Sequence, residues 1–259
     1  MPSRLLAPLL FVLLGLLGAG LAQAELSQDG NLRIAFDGNF SPRALPRDHP
    51  APVTIDIEGA ISTTDGSHPP PVRRIEIELN RNGRISTQGL PACSGPLLQS
   101  TSSKTALARC RPALVGEGSF AADVQFPATE PVTATGRLLA FFGRKAGRPA
   151  LFLHLYATAP VRATFVLPLT ISHPDRGTFG TVLTAQIPTL AGGVGSVTKI
   201  DLRIERRYTY RGQRRSFLSA SCAAPAGFPG AIFPLAKGSF YFLGGKRIDT
   251  TLARTCHVR

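Results

Sequence analysis

Residues 73–86 read RRIEIELNRNGRIS, and their alternation decides the fold class. Ile75, Ile77 and Leu79 occupy every second position, with Glu76 and Glu78 between them. Period two puts the apolar side chains on one face of a strand and the charges on the other, whereas a helix would scatter them around its circumference. Asn82-Gly83 then follows, a dipeptide suited to a two-residue hairpin turn, so the stretch predicts a strand, a turn and a return strand.

The same period recurs along the chain. NLRIAFDGNF (31–40), PVTIDIEGAIS (52–62), GSFAADVQF (118–126), GRLLAFFG (136–143), ALFLHLY (150–156), ATFVLPLTI (163–171), GTVLTAQI (180–187), VTKIDLRIE (197–205), RRSFLSA (214–220) and GSFYFLGG (238–245) all predict strands. The 26 glycines and 22 prolines punctuate the intervals, as they do between short strands. Beyond the N-terminus, only SSKTALARC (102–110) has the character of a helical turn or two. These patterns predict an all-β chain of antiparallel β-sandwich architecture, either one continuous β domain or two tandem sandwich-like modules over 25–131 and 132–259. The two-module reading rests on a repeat. VRRIEIELNR from Val72 aligns with VTKIDLRIER from Val197, each leads to a cysteine, Cys93 or Cys222, and a G-S-F follows at Gly118 and Gly238. Such spacing suits a duplicated β module rather than a solenoid, with the boundary expected near Pro127 to Gly136.

Residues 1–24, MPSRLLAPLLFVLLGLLGAGLAQA, combine a basic start at Arg4, an apolar run and an Ala22-x-Ala24 ending, the pattern of a cleaved secretory signal. The mature chain is expected to begin at Glu25 and to be secreted, either free or held at the cell envelope without a covalent lipid. Later apolar stretches are broken by residues such as His154, Pro160 and Arg162 and predict buried strands rather than a membrane span. Four cysteines suit an oxidising compartment. Cys93, Cys110, Cys222 and Cys256 allow three pairings; Cys93 with Cys110 and Cys222 with Cys256 is the more local choice. Metal-binding cysteine spacing is absent, and neither a metal nor a cofactor is expected.

The stretches ISTTDGSHPPPVRRIEIELNRNGR (61–84), ALARCRPALVGEG (106–118), LLAFFGR (138–144), SFLSASCAAPAGFPGAIFPLAKGSFYF (216–242) and TTLARTC (250–256) resemble a group of secreted proteins from high-GC Gram-positive (actinobacterial) bacteria. The resemblance covers most of the mature chain and implies export and an extracellular β fold. It transfers no activity and no catalytic or binding residue.

No familiar catalytic pattern emerges from the residues. The G-x-S-x-G elbow of serine hydrolases is missing, and GVGSV (193–197) and GEGSF (116–120) lack its spacing. Glu76 and Glu78 share a strand face with flanking arginines, the arrangement of an ion-paired surface rather than a glycosidase pair. LAGGVGSVTK (190–199) lacks G-K-[ST] and leads into a strand, unlike a phosphate loop. Of the five histidines, His154 stands in an apolar strand, with Phe152 and Tyr156 on its face, and reads as a core residue.

What remains is charge. The chain carries a net +13 and a pI near 10.6, which attracts it to anionic surfaces. Arg203, Arg206, Arg207, Tyr208, Tyr210, Arg211, Arg214 and Arg215 crowd into one stretch, read as a strand to Arg211, a turn at Gly212-Gln213 and a return strand. Arginine and tyrosine together grip phosphate, sulfate or uronate groups and stack on sugars, although a charged hairpin also serves simply to keep a sheet edge from pairing with other chains. The expectation is a non-enzymatic secreted protein of the cell envelope that binds an anionic wall polymer through this hairpin. Export argues against nucleic acid as partner. The alternatives are a secreted hydrolase acting on glycans and a structural or adhesive module without a ligand.

Overall fold

The computed structural model describes residues 24–124, 130, 132–159, 162–188 and 195–259. The signal segment, apart from Ala24, therefore lies outside the described residues, as do 127–129 and 131 within the expected module boundary. The chain is all-β. Its first part supplies β1 (Glu25–Asp29), β2 (Leu32–Ser41), β3 (Ala44–Leu45), β4 (Ala51–Pro52), β5 (Thr54–Thr63), β6 (Val72–Asn80), β7 (Gly83–Ile85), β8 (Leu114–Val124) and β9 (Val132–Lys145). Two short helices, α1 (Gly95–Leu98) and α2 (Ser103–Cys110), lie between β7 and β8. The second part supplies β10 (Arg148–Ala159), β11 (Ala163–Ser172), β12 (Phe179–Gln186), β13 (Gly195–Ile204), β14 (Arg207–Tyr210), β15 (Gln213–Ser216), β16 (Leu218–Ala220), β17 (Gly230–Phe242) and β18 (Arg247–Val258).

One 13-stranded sheet holds most of these strands, in the order β1-β2-β5-β13-β8-β9-β10-β11-β12-β6-β17-β18-β3. All its pairings are antiparallel except β18 with β3. A twisted sheet this wide with one apolar face must curl to bury that face. Here it curls until β1 and β2 lie against β18. Phe36 on β2 meets Phe240 on β17 edge to face, with ring centres 6.3 Å apart. Sandwich-like packing thus arises within a single sheet folded onto itself.

Up to β18 the order divides into two runs of six, β1-β2-β5-β13-β8-β9 and β10-β11-β12-β6-β17-β18. Each run takes its fourth strand from the other part of the chain. The registers match as well: Gly118 pairs Leu202 while Gly238 pairs Ile77, and Phe120 pairs Ile200 while Phe240 pairs Ile75. Even the irregularities correspond. Val115 on β8 and Leu235 on β17 bulge against equivalent partners, and Thr198 on β13 and Arg73 on β6 are both skipped by the ladder. The two aligned stretches from Val72 and Val197 are therefore structural equivalents. The order repeats about the β9–β10 turn at Ala146-Gly147, not about Pro127 to Gly136, and strands from 25–131 and 132–259 interleave in the same sheet.

The opening stretch forms β6 as expected, but the turn falls at Arg81-Asn82 rather than Asn82-Gly83, and β7 does not return along β6. Both edges of β6 are already taken, by β12 and β17, so β7 leaves to pair with β16, which also pairs with β4. This small sheet plugs one end of the curl, where Leu45, Val53, Phe217 and Leu218 are buried. Disulfides link Cys93 to Cys110 and Cys222 to Cys256, both near the plugged end. The first ties α1 and α2 over the outer face of β9 and β10, burying Leu139, Phe141 and Phe152.

Where the two ends of the sheet meet, side chains replace a backbone ladder. Arg254 on β18 is 8% exposed; it donates to the Gly38 carbonyl at 2.8 Å and pairs with the Asp37 carboxylate, both on β2. At the other end of the seam, Lys246 donates to the Asp29 carbonyl at 2.9 Å. Removing one partner of a buried pair leaves the other charge uncompensated. Asp37→Ala is expected to lower the unfolding free energy in urea by about 3 kcal/mol, and the double variant Asp37→Leu/Arg254→Met to lose less than that single change.

Candidate functional site

The basic segment folds differently from its sequence reading. β13 stops at Ile204, and Glu205 and Arg206 interrupt the strand before β14. The β14–β15 hairpin is separate from the large sheet and turns at Arg211-Gly212, not Gly212-Gln213, because those two residues take the positive φ values of 50° and 73° that a two-residue turn of this hand requires. The interruption divides the arginines. Arg203 pairs with Asp56 at 3.0 Å and Glu205 at 3.1 Å on the outer face of β13. Arg206 donates to the Pro112 carbonyl at 3.1 Å, and Arg215 to Gln213 at 3.0 Å. Arg207, Arg211 and Arg214 remain exposed, with Arg211 over the Tyr210 ring at 5.3 Å. Cross-strand pairing of Tyr208 with Arg215, and of Thr209 with Arg214, sends the tyrosines to the side away from Arg207 and Arg214. Tyr208 donates its hydroxyl proton to the Gln88 carbonyl at 2.9 Å. Tyr210 lies so close to Gly89 that a Cβ there would come 2.2 Å from its ring. The tyrosines therefore anchor the hairpin to 86–89, while Arg207 and Arg214 face outward without them.

His154 sits on the outer face of β10, sealed under α1 and α2 at 0% exposure. Its Nε2 lies 3.0 Å from the Thr101 carbonyl, and its Nδ1 has no partner. Thr101 directs its own hydroxyl proton to the Leu98 carbonyl at 2.6 Å, so the ring donates through Nε2 to the Thr101 carbonyl and is neutral. Burial pushes its pKa below the ordinary 6.5, against the opposing hydrogen bond to Thr101. The arrangement anchors the helices to the sheet.

The sequence reading missed a cavity inside the curl. It has a volume of about 160 Å³, and its walls come from both halves of the sheet. Val72, Ile75 and Ile77 on β6 face it from one side, and their counterparts Val197, Ile200 and Leu202 on β13 from the other. Ile34, Phe36, Ile57, Ile61, Leu153, Leu167, Leu169, Ile187 and Phe240 complete the apolar wall. Small side chains make the room: Gly59 and Ala185 lie at this level, and a Cβ added to Gly59 would meet nothing within 4 Å. At one end the lining turns polar with Arg73, Ser196, Thr198 and Lys199. Ser196 is committed, donating to the Pro69 carbonyl at 3.0 Å. Phe40, Phe120, Phe142 and Phe217 fill the rest of the core.

An all-apolar cavity near 150 Å³ stays dry and admits a benzene-sized group, so this one has room for a ring or a stretch of about six carbons. Among the described residues its lining carries no carboxylate, histidine or cysteine. Among the described residues no helix is long and apolar enough to cross a membrane. Fold and site together define an all-β protein whose one curled sheet encloses an apolar chamber. Comparison with known proteins finds no matching family model, no matching curated protein and no matching solved structure.

The neutral histidine gives a pH test. Above pH 6.5 the ring is uncharged in both folded and unfolded chains; below it, the unfolded chain binds a proton that the fold refuses. Stability contributed by His154 is thus complete above 6.5 and falls with decreasing pH, by at most about 1.4 kcal/mol per pH unit. Urea melts at pH 7.5 and 5.5 should show a smaller difference for His154→Gln than for the parent chain.

Proposed function

We propose that the protein is a non-enzymatic, exported protein of the cell envelope that binds an apolar group in the chamber of its curled sheet. The chamber itself carries this reading: about 160 Å³ lined by aliphatic and aromatic side chains of both halves, and kept empty by Gly59 and Ala185. Two disulfides suit an oxidising compartment, and the N-terminal signal pattern and the resemblance to secreted actinobacterial proteins support export. The test uses N-phenyl-1-naphthylamine, an uncharged dye whose emission rises in apolar surroundings. The mature protein is expected to bind it saturably at one site, and Gly59→Leu, whose side chain enters the chamber, to abolish binding without lowering Tm. Unchanged dye binding by that variant would refute the reading.

A second reading, binding of an anionic wall polymer through the basic hairpin, draws support from the outward position of Arg207, Arg211 and Arg214, which make no ion pair with an acid among the described residues. Such contacts are screened by salt. The mature protein should then sediment with isolated walls and be released by salt, while the triple change of these arginines to glutamine should leave it in the supernatant. Equal retention of both proteins would remove the hairpin from consideration.

A further inference from the structure

We infer that an open groove at the N-terminus of α2 binds the oxyanion of a phosphorylated or sulfated sugar. The site is separate from the chamber and from the basic hairpin, and rests on neither reading above. Its floor is a row of side chains on the outer face of the large sheet. Ser119 on β8 stands opposite Arg137 on β9, and Arg137 opposite Tyr156 on β10, while their neighbours Phe120, Leu138 and Leu155 face the core. Ser102, Ser103 and Lys104, which open α2, form the wall beside this row.

The helix end supplies donors. Ser102 caps α2 by accepting from the Thr105 amide at 3.2 Å, and its carbonyl accepts from the Ala106 amide at 2.9 Å. Of the first-turn amides, those of Ser103 and Lys104 therefore have no partner within the helix. No acid stands in that turn, so the positive end of the helix is not offset by its own side chains. The independent observation is Ser103. It lines the groove while only 7% exposed, and its hydroxyl finds no partner among the described residues. A buried hydroxyl without a partner is costly, and an acceptor seated in the groove removes that cost. An oxyanion offers acceptors to this hydroxyl and to both amides at once. The charges agree. Lys104 is exposed and pairs with no acid among the described residues. Glu117, two residues before Ser119 on the same face of β8, is held by Arg137, and Asp201 lies one strand beyond Ser119, between Lys199 and Arg203 on its own strand face. At about 610 Å³ the groove holds more than a bare ion, since spaces of this size take small organic molecules. Tyr156 and Ser119 give it an amphipathic ring and a hydroxyl, suited to a sugar rather than a hydrocarbon.

The experiment titrates the isotope-labelled mature protein at low salt with glucose 6-phosphate, glucose 6-sulfate, inorganic phosphate and glucose, following the backbone amide resonances. The sugar anions are expected to shift the amides of Ser103 and Lys104 saturably, inorganic phosphate to bind about tenfold more weakly, and glucose to leave them unmoved. Ser103→Ala removes a hydroxyl that bonds nothing in the fold, so it should weaken the sugar anions about fivefold while Tm stays the same or rises. Lys104→Glu should weaken them by more than about tenfold. The variant with Arg207, Arg211 and Arg214 changed to glutamine should bind them as the parent does, which separates this site from the hairpin. A preference between phosphate and sulfate identifies the oxyanion within the inferred class. The inference is overturned if no anion moves the two amides, if inorganic phosphate or glucose matches the sugar anions, or if Ser103→Ala lowers Tm and leaves binding unchanged. Dye binding in the chamber is indifferent to each of these outcomes, so the two readings stand or fall separately.

Discussion

The exchange of β6 and β13 is the constraint on which the rest of this structure depends. β6 is hydrogen-bonded between β12 and β17, and β13 between β5 and β8, so neither half of the sheet is complete without a strand from the other part of the chain. Two self-contained modules could drift apart; these cannot, because each would have to open a buried gap in its ladder. The contacts that hold the fold are therefore distant in sequence, which makes the assembly cooperative and, by topology, slow. The exchange also sets the chamber where the two halves face each other, with Ile75 opposite Ile200 and Ile77 opposite Leu202 in equivalent roles. Departures from the twofold then carry the individuality of the site: arginine at the bulge of one half and threonine at that of the other, glycine at 59 and alanine at 185.

Charge and apolar surface are separated by the same alternation. Each strand with one face to the interior sends its charges outward, and the outer face is laced with pairs such as Arg137 with Glu117 and Arg247 with Asp249. Exposed pairs of this kind contribute little to stability. Their effect is to occupy the acids, so the surplus arginines dominate the long-range field of the molecule. Arg254 is the exception. It points into the seam and replaces the missing ladder between β2 and β18, where a charge is tolerated because Asp37 and the Gly38 carbonyl meet it.

Strands with one wet and one dry face were legible, and β2, with Leu32, Ile34, Phe36 and Phe40 buried and charges between, is the clearest. β9 and β10 read as apolar runs because helices cover their outer face as the chamber wall covers the inner. β18 escaped notice for a specific reason: its inward positions are Ile248, Thr250, Leu252, Arg254 and Cys256, so polar residues interrupt the apolar series. Local disulfide pairing was available from spacing. Partner choice was not, because hydrogen bonds between backbones leave no mark on side-chain type; RRIEIELNRNGRIS accordingly suggested a hairpin that the occupied edges of β6 forbid. The chamber was hidden as well, since the isoleucines and leucines around an empty volume are the same residues that would fill a solid core. Only Gly59, standing where β5 should carry a branched residue, hinted at it.

By loop closure the two disulfides contribute about 3 and 4 kcal/mol, and their placement is informative. Cys93–Cys110 and Cys222–Cys256 both staple the plugged end, beside the small sheet of β4, β16 and β7. Neither reaches the end of the chamber where Arg73 and Lys199 stand. No disulfide crosses the opposite end, where Ser196 and Lys246 add side-chain bonds to the strand pairing. Local opening follows the distribution of stability within a fold, so the end without cross-links opens more readily than the plugged end.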